Sequence, residues 1–147
     1  MSKKTEGTVA EDGATQETER LKQNSPASPG LSETEAHSQS VAKSPGTRVP
    51  LAEIEDRIIG QFYMTGYAFA EFANGGAAVN QQVADATKAL TICVLVVDNG
   101  FSVIGKAAPA DPVNYDAETG RRYAYEDAVR QLWPLFGFAL REKLAAR

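Results

Sequence analysis

The apolar pattern of the chain is clearest between Thr91 and Gly105, where the sequence reads TICVLVVDNGFSVIG. Every position from Ile92 to Val97 is apolar, and Asn99-Gly100 follows two residues later. Asn-Gly favours a tight hairpin turn, because such turns need positive φ angles that these residues tolerate. The stretch therefore predicts a β-hairpin whose first strand is apolar on both faces.

Two registers of this hairpin stay open at the level of sequence. A two-residue turn would pair Leu95 with Ile104, whereas a three-residue turn with a bulge at Gly100 would pair Leu95 with Val103. A slip of one residue exchanges the two faces of a strand. Because a lone two-stranded ribbon is marginal in water, we expect helices to cover the hairpin on both sides, with help from a second copy of the chain. A homodimer is therefore one expectation.

Upstream of the hairpin, apolar residues recur at helical spacing and predict a helix that begins at Pro50 and continues toward Phe72. Its first apolar positions are Leu51, Ile54, Ile58 and Phe62. The run Asn74-Gly75-Gly76 is typical of a helix end. The Ala- and Gln-rich segment from there to Lys88 is expected to be a weakly structured connector.

Downstream of the hairpin, Asn114 resembles the N-cap of a helix. One side of this helix carries small residues that would let it lie close to a sheet, and the other carries opposite charges at four-residue steps. The small residues are Gly120, Ala124 and Ala128, and the charged ones are Glu118, Arg122, Glu126 and Arg130. Trp133-Pro134 predicts a break before a last helix that includes Leu144. The predicted class is α+β, in the order α-β-β-α-α.

Composition divides the chain in two. Residues 1–49 contain no aromatic residue and are rich in Ser, Thr, Glu, Gln, Lys and Pro. Such a segment cannot bury enough apolar surface to offset the entropy lost on ordering its backbone. We therefore expect a disordered arm over residues 1–49 and a small folded module over residues 50–147.

Charge and apolar-segment length then narrow the class of protein. The net charge is −4, which argues against the basic surface that tracks a phosphate backbone. No run approaches the roughly 18 apolar residues of a membrane span, and the N-terminal residues lack the apolar segment of a signal peptide. We expect a cytoplasmic protein that binds neither nucleic acid nor membrane.

The residue types needed for catalysis are sparse. Cys93 is the single cysteine and is expected to be a buried small hydrophobe, while the single histidine, His37, lies outside the predicted module. One cysteine and one histidine cannot supply the four ligands of a zinc site, and no glycine-rich phosphate loop occurs. The sequence therefore predicts no enzyme, no metal and no cofactor. Three residues of the module are candidate ligand or partner contacts, namely Arg121, Tyr125 and Trp133.

A resemblance to a known family covers residues 90–144. The chain resembles the gene-49/gene-66 family of small tailed-phage proteins, whose activity is not known. The matching elements include Cys93 to Leu95, Asn99-Gly100-Phe101, Asn114-Tyr115-Asp116, Glu126-Asp127-Ala128 and Trp133-Pro134-Leu135. The sequence departs from the family pattern at Lys106 to Pro109 and at Phe136. The resemblance implies a phage or prophage origin and a setting in the host cytoplasm.

Two functions are compatible with these observations. The first is a non-catalytic interaction module that binds a host or phage protein in the infected cell. The second is a protein that sequesters a small molecule or nucleotide in a pocket between subunits, lined by Arg121, Tyr123 or Tyr125. An invaginated pocket would favour the second function, and a flat apolar patch would favour the first.

Overall fold

The computed structural model of the protein describes residues 29–147. The helices are α1 (Pro29–Val41), α2 (Leu51–Asp56), α3 (Gly66–Ala73), α4 (Gln81–Lys88) and α5 (Ala117–Ala145), and the strands are β1 (Ile58–Thr65), β2 (Thr91–Val97) and β3 (Ser102–Ala107). Single 3-10 turns lie at Pro45–Thr47 and Pro112–Asn114. The predicted α+β class is confirmed, but the structure contains more helices and one more strand than the predicted order α-β-β-α-α.

The three strands form one antiparallel sheet in the order β1-β2-β3. Leu95 pairs with Val103, so the three-residue turn is the register that forms. The Val97 N–H donates to the Phe101 carbonyl at 2.9 Å, closing the loop around Asp98, Asn99 and Gly100. The predicted hairpin is confirmed, and β1 adds a third strand along the other edge of β2.

Gly100 has a φ of +86°, a region that side chains with a Cβ enter at a cost. We expect Gly100→Val to lower the free energy of unfolding by on the order of 1 kcal/mol or more, measured by urea denaturation. Gly100→Asn should lose less, because asparagine tolerates this region better than valine does. Equal losses in the two variants would show that the backbone conformation is not the cause.

Helix α5 covers one face of the sheet, and its stripe of small residues makes the contact. Ala124 and Ala128 are fully buried and lie against Gly105 of β3, where a Cβ would come within 2.8 Å of the Ala128 Cβ. Gly120 lies against Thr91 at the start of β2. The predicted close approach of this helix to the sheet is confirmed.

Two predictions about this helix are wrong. Asn114 ends the 3-10 turn, and the N-cap is Asp116, whose carboxylate accepts a hydrogen bond from the Thr119 N–H at 2.8 Å. Trp133-Pro134 does not break the helix, which runs through Pro134. Packing of the residues on both sides of the proline outweighs the one backbone hydrogen bond that proline cannot make.

The folded part starts upstream of Pro50, so the prediction of a disordered arm is wrong for residues 29–49. Leu31 of α1 is 2 % exposed and belongs to the core. Glu35 accepts two hydrogen bonds from the Arg48 guanidinium, at 2.7 and 3.1 Å, and this neighbour holds the pKa of the Glu35 carboxyl below its usual range. The part of the prediction that concerns residues 1–28 lies outside the described residues.

The predicted helix from Pro50 to Phe72 is three elements. Helix α2 ends at Asp56, strand β1 follows, and only α3 is helical again. The reason is long-range pairing, because β1 residues from Ile58 to Thr65 bond to β2 across more than 25 positions of sequence. The helix end at Asn74-Gly75-Gly76 is confirmed, with positive φ at both glycines.

The segment between this helix end and β2 was predicted to be weakly structured, and that prediction is also wrong. It contains α4, which begins after Asn80, whose side chain accepts a hydrogen bond from the Val83 N–H at 2.9 Å. Such a cap satisfies one of the backbone donors that a helix start leaves unpaired. Helix α4 packs against α3.

Candidate interaction surface

The second face of the sheet is a grid of nine residues, which we call the open face. The strand register aligns them in three rows of three. The rows are Met64, Ile92 and Lys106; Phe62, Val94 and Ile104; and Gly60, Val96 and Ser102. The middle row is wholly apolar, and the single charge lies at one corner of the grid.

The open face is uncovered within residues 29–147. Phe62 is 63 % exposed, Ile104 is 61 % exposed and Met64 is 43 % exposed. The β2 residues between them are intermediate in exposure. The expectation that helices would cover both faces of the hairpin is therefore wrong, because α2 and α5 both contribute to the core on the opposite face.

Strand β1 has the reverse of the usual alternation for a half-buried strand. Its polar side chains, Gln61 and Tyr63, point to the core side, and Gln61 is buried. The apolar side chains of Phe62 and Met64 point to the open face, while Ile58 at the start of the strand packs against the core. The open face is therefore an exposed apolar patch, a feature that is uncommon on soluble proteins unless it is an interaction site.

Side chains of α5 occupy the outer edge of β3. The Asp127 carboxylate accepts a hydrogen bond from the Lys106 backbone N–H at 3.0 Å, and the Gln131 side chain donates to the Ile104 carbonyl at 2.7 Å. These bonds use backbone groups that an added strand would need. The outer edge of β3 is therefore partly occupied by side chains of the same chain.

A cluster of polar groups lies beneath β1 on the core side. Gln61 donates to the Tyr63 hydroxyl at 2.5 Å, and Tyr63 is the cross-strand neighbour of the buried Cys93. Burial raises the pKa of the Cys93 thiol to about 12, so the thiol is protonated at neutral pH and is inaccessible. Cys93 is therefore a structural residue, as the sequence suggested, since a reactive cysteine needs an exposed thiolate.

The same region holds a half-buried carboxyl group, Glu55, which accepts a hydrogen bond from the Tyr125 hydroxyl at 3.4 Å. Burial raises the pKa of Glu55, and the bond from Tyr125 opposes that rise. A carboxyl group with a raised pKa in the folded state favours folding while protonated, and that contribution is lost as pH rises through the folded pKa. Ionised Glu55 therefore costs stability at neutral pH.

We expect Glu55→Gln to raise the melting temperature by about 1–3 °C at pH 7, because the amide keeps an acceptor for Tyr125 without a buried charge. The gain should disappear near pH 3, where both side chains are neutral. Thermal denaturation followed by circular dichroism at the two pH values checks this. Glu33→Gln, at an exposed position of α1, should show no gain; a gain there would indicate a general charge effect.

The structure does not bring the three candidate contact residues together. Arg121 is exposed on α5, and Tyr125 is 1 % exposed in the core. Trp133 donates its indole N–H to the Val49 carbonyl at 3.1 Å and packs against the core. Tyr125 and Trp133 therefore have structural roles that occupy them. Of the three residues predicted to line a pocket, Arg121, Tyr123 or Tyr125, Tyr123 lines a small cleft beside the N-terminus of α5.

The described clefts are small or shallow. One of about 130 Å³ lies beside the N-terminus of α5, between Pro109, Tyr115 and Tyr123. Another, of about 170 Å³, lies at the hairpin tip between Phe101, Leu135 and Phe136. Two larger clefts, of about 430 Å³ beside α3 and α4 and of about 390 Å³ beside Trp133, are broad and open to solvent. Drug-sized ligands usually occupy enclosed clefts of about 300 Å³ or more, so none of these four clefts combines that volume with that enclosure.

The described part of the chain offers neither a metal-binding cluster nor a membrane-spanning helix. Within residues 29–147, no group of three or more His, Cys, Asp or Glu side chains is placed to hold a metal ion. None of the helices in the same range combines the length and apolar character that crossing a membrane requires.

The sequence could not reveal the open face, because its residues come from three segments whose pairing only the fold shows.

Comparisons with known proteins gave one result. The model of the family described as phage protein (N4 Gp49/phage Sf6 gene 66) matches residues 49–144. Neither the curated proteins nor the solved structures gave a match. The matched range includes all three strands and α5 up to Leu144, so it contains the whole open face.

Proposed function

Because the chain belongs to the phage protein family of N4 Gp49 and phage Sf6 gene 66, we propose that it is a phage accessory protein that acts in the infected cell by binding a protein surface. Its binding surface is the open face, and its action is non-catalytic. The observation that carries this proposal is the apolar middle row of the grid, Phe62, Val94 and Ile104. Exposed apolar patches of this kind mark interaction sites in soluble proteins.

The direction of the side chains in β1 supports a binding role. A solvated sheet face normally carries polar residues, yet here Gln61 and Tyr63 point to the core and Phe62 and Met64 point outward. This arrangement leaves polar groups in need of buried hydrogen bonds, such as that between Gln61 and Tyr63. A protein surface that covers the open face removes the exposed apolar area that the arrangement creates.

The chemistry of the remaining groups supports binding over catalysis. The Cys93 thiol is buried with a raised pKa, and the two carboxylates with lowered pKa values at the ends of loops have structural bonds. Asp98 pairs with the Arg57 guanidinium at 2.7 Å, and Asp116 caps α5 through Thr119. Each of these groups therefore stabilises the fold where it stands.

Affinity capture from infected host cells that also produce an untagged copy of the chain tests the proposal. The baits are the tagged wild type, Ile104→Lys, and the matched control Val113→Lys. Val113 is also an exposed β-branched residue, 88 % exposed, and lies outside the sheet. We expect a protein, the untagged copy included, that the wild type and Val113→Lys retain and that Ile104→Lys loses. If Ile104→Lys retains every partner that the control retains, and the purified chain does not self-associate through the open face either, the proposal is wrong.

A further inference from the structure

We propose that the partner of the open face is a second copy of this chain, packed face to face across a two-fold axis. This inference rests on the proposed function, because it names the protein surface that covers the grid. The alternatives are the chain's own N-terminal residues and an unrelated protein. Composition, charge and geometry favour the second copy over both.

The N-terminal residues lack the side chains needed to cover the grid. Residues 1–28 contain no aromatic residue, and their large apolar residues are Met1, Val9 and Leu21. These three are separated by long polar stretches. They cannot form a continuous apolar segment that matches three rows of side chains.

The charge pattern favours self-association over an unrelated partner. Surfaces that select a different protein normally carry charges complementary to those of the partner. The grid has eight uncharged residues and one charged one, Lys106, at a corner. The grid therefore carries almost no charge that could attract a charged partner or repel a second copy of the chain.

The geometry of two facing sheets keeps the two Lys106 side chains apart. Stacked sheets pack with their strands within about 30° of each other. A two-fold axis that lies between such sheets, along or across the strands, places each Lys106 at a different corner of the interface. The middle row of one copy, Phe62, Val94 and Ile104, then lies against the middle row of the other.

The edge bonds of the sheet favour this stacking over extension through β3. Asp127 and Gln131 occupy backbone groups of Lys106 and Ile104 at that edge, so a second copy cannot pair there without breaking them. Stacking keeps these bonds. It also closes the assembly at two copies, because each open face is used once.

The size of the grid predicts a weak dimer. Strands about 4.8 Å apart and rows about 6.8 Å apart give a footprint of roughly 300 Å². This is less than half of the roughly 800 Å² per partner in a typical stable interface. We therefore expect a dimer that dissociates in the micromolar range or above, so its mass must be measured over a wide range of concentration.

Sedimentation equilibrium of the purified full chain, from about 5 to 500 µM, tests the inference. The wild type and Val113→Lys should shift from monomer to dimer, and Ile104→Lys should raise the dissociation constant at least tenfold, because a lysine in the apolar row would lose its hydration. The fold of Ile104→Lys should be intact, since residue 104 is mostly exposed; an unchanged circular dichroism spectrum checks this.

Chemical cross-linking is an independent test of face-to-face packing. Val94 is the centre of the grid, and facing sheets lie about 10 Å apart. A short bismaleimide should therefore join two copies of Val94→Cys, and should not join two copies of Val113→Cys. The native Cys93 is fully buried and serves as an internal control in the wild type. Equal cross-linking of the two variants would contradict face-to-face packing.

The outcomes separate this inference from the proposed function. A wild type that stays monomeric to 500 µM overturns the second copy as partner. If affinity capture then still finds another protein that Ile104→Lys loses, the open face binds that protein and the proposed function stands. If neither self-association nor such a partner is found, both proposals are wrong.

Discussion

Gly105→Ala is expected to destabilise the protein by on the order of 3 kcal/mol, a loss of roughly 10 °C in melting temperature. A Cβ at this position would overlap the Ala124 carbonyl oxygen and come within 2.5 Å of the Ala128 backbone N. Because backbone atoms of α5 cannot rotate away as a side chain can, the helix must move off the sheet. Urea and thermal denaturation of the variant measure the effect.

Two companion variants isolate the cause. Ala128→Gly removes a methyl group but leaves both backbone contacts, so Gly105→Ala with Ala128→Gly should remain destabilised. Gly137→Ala, where a Cβ meets no atom within 4 Å, should gain about 0.5–1 kcal/mol, because alanine is the better residue inside a helix. A double variant restored to wild-type stability would show that α5 approaches β3 less closely than described.

Leu31→Ala is expected to cost about 2–5 kcal/mol, the range for a buried leucine. Leu31 is 2 % exposed and packs in the main core. A chain that begins at Pro50 should lose at least as much, since it also lacks Val49, whose carbonyl accepts the Trp133 indole N–H. Both measurements use equilibrium urea denaturation.

Val41→Ala is the matched control in the same helix, because Val41 is 59 % exposed. Its free energy of unfolding should lie within about 0.5 kcal/mol of the wild type. If Leu31→Ala behaves like Val41→Ala, helix α1 does not pack on the core. An unchanged melting temperature after removal of residues 1–49, the result expected of a disordered arm, would lead to the same conclusion.

The position of α1 shows why composition misjudged residues 29–49. The inward-facing positions of this helix follow helical spacing, but they are Leu31, Glu35 and Ser38. Leu31 is the only large apolar residue among them, so apolar residues do not recur at helical spacing in this segment. The bond from the Leu51 N–H to Glu35 and the burial of Leu31 in the core tie it to the fold, and neither shows as a local pattern in the sequence.

Strand β1 was misread for a related reason. Leu51, Ile54, Ile58 and Phe62 have the spacing of a helix face, and the first two are indeed helical and buried. The other two lie in a strand, where Phe62 faces away from the core. An alternation with polar residues inward cannot be recognised until the partner strand and the covered face are known.

The sequence by itself determined the hairpin, its glycine turn, the stripe of small residues and the family. Each depends on a local property: the φ angle that Gly100 allows, or the side-chain volume at Gly120, Ala124 and Ala128. Only the tertiary structure decided that β1 pairs with β2, that α5 continues through Pro134, and that one face of the sheet stays open. These features depend on hydrogen bonds and packing between distant segments, whose energies outweigh local preferences and leave no periodic trace in the chain.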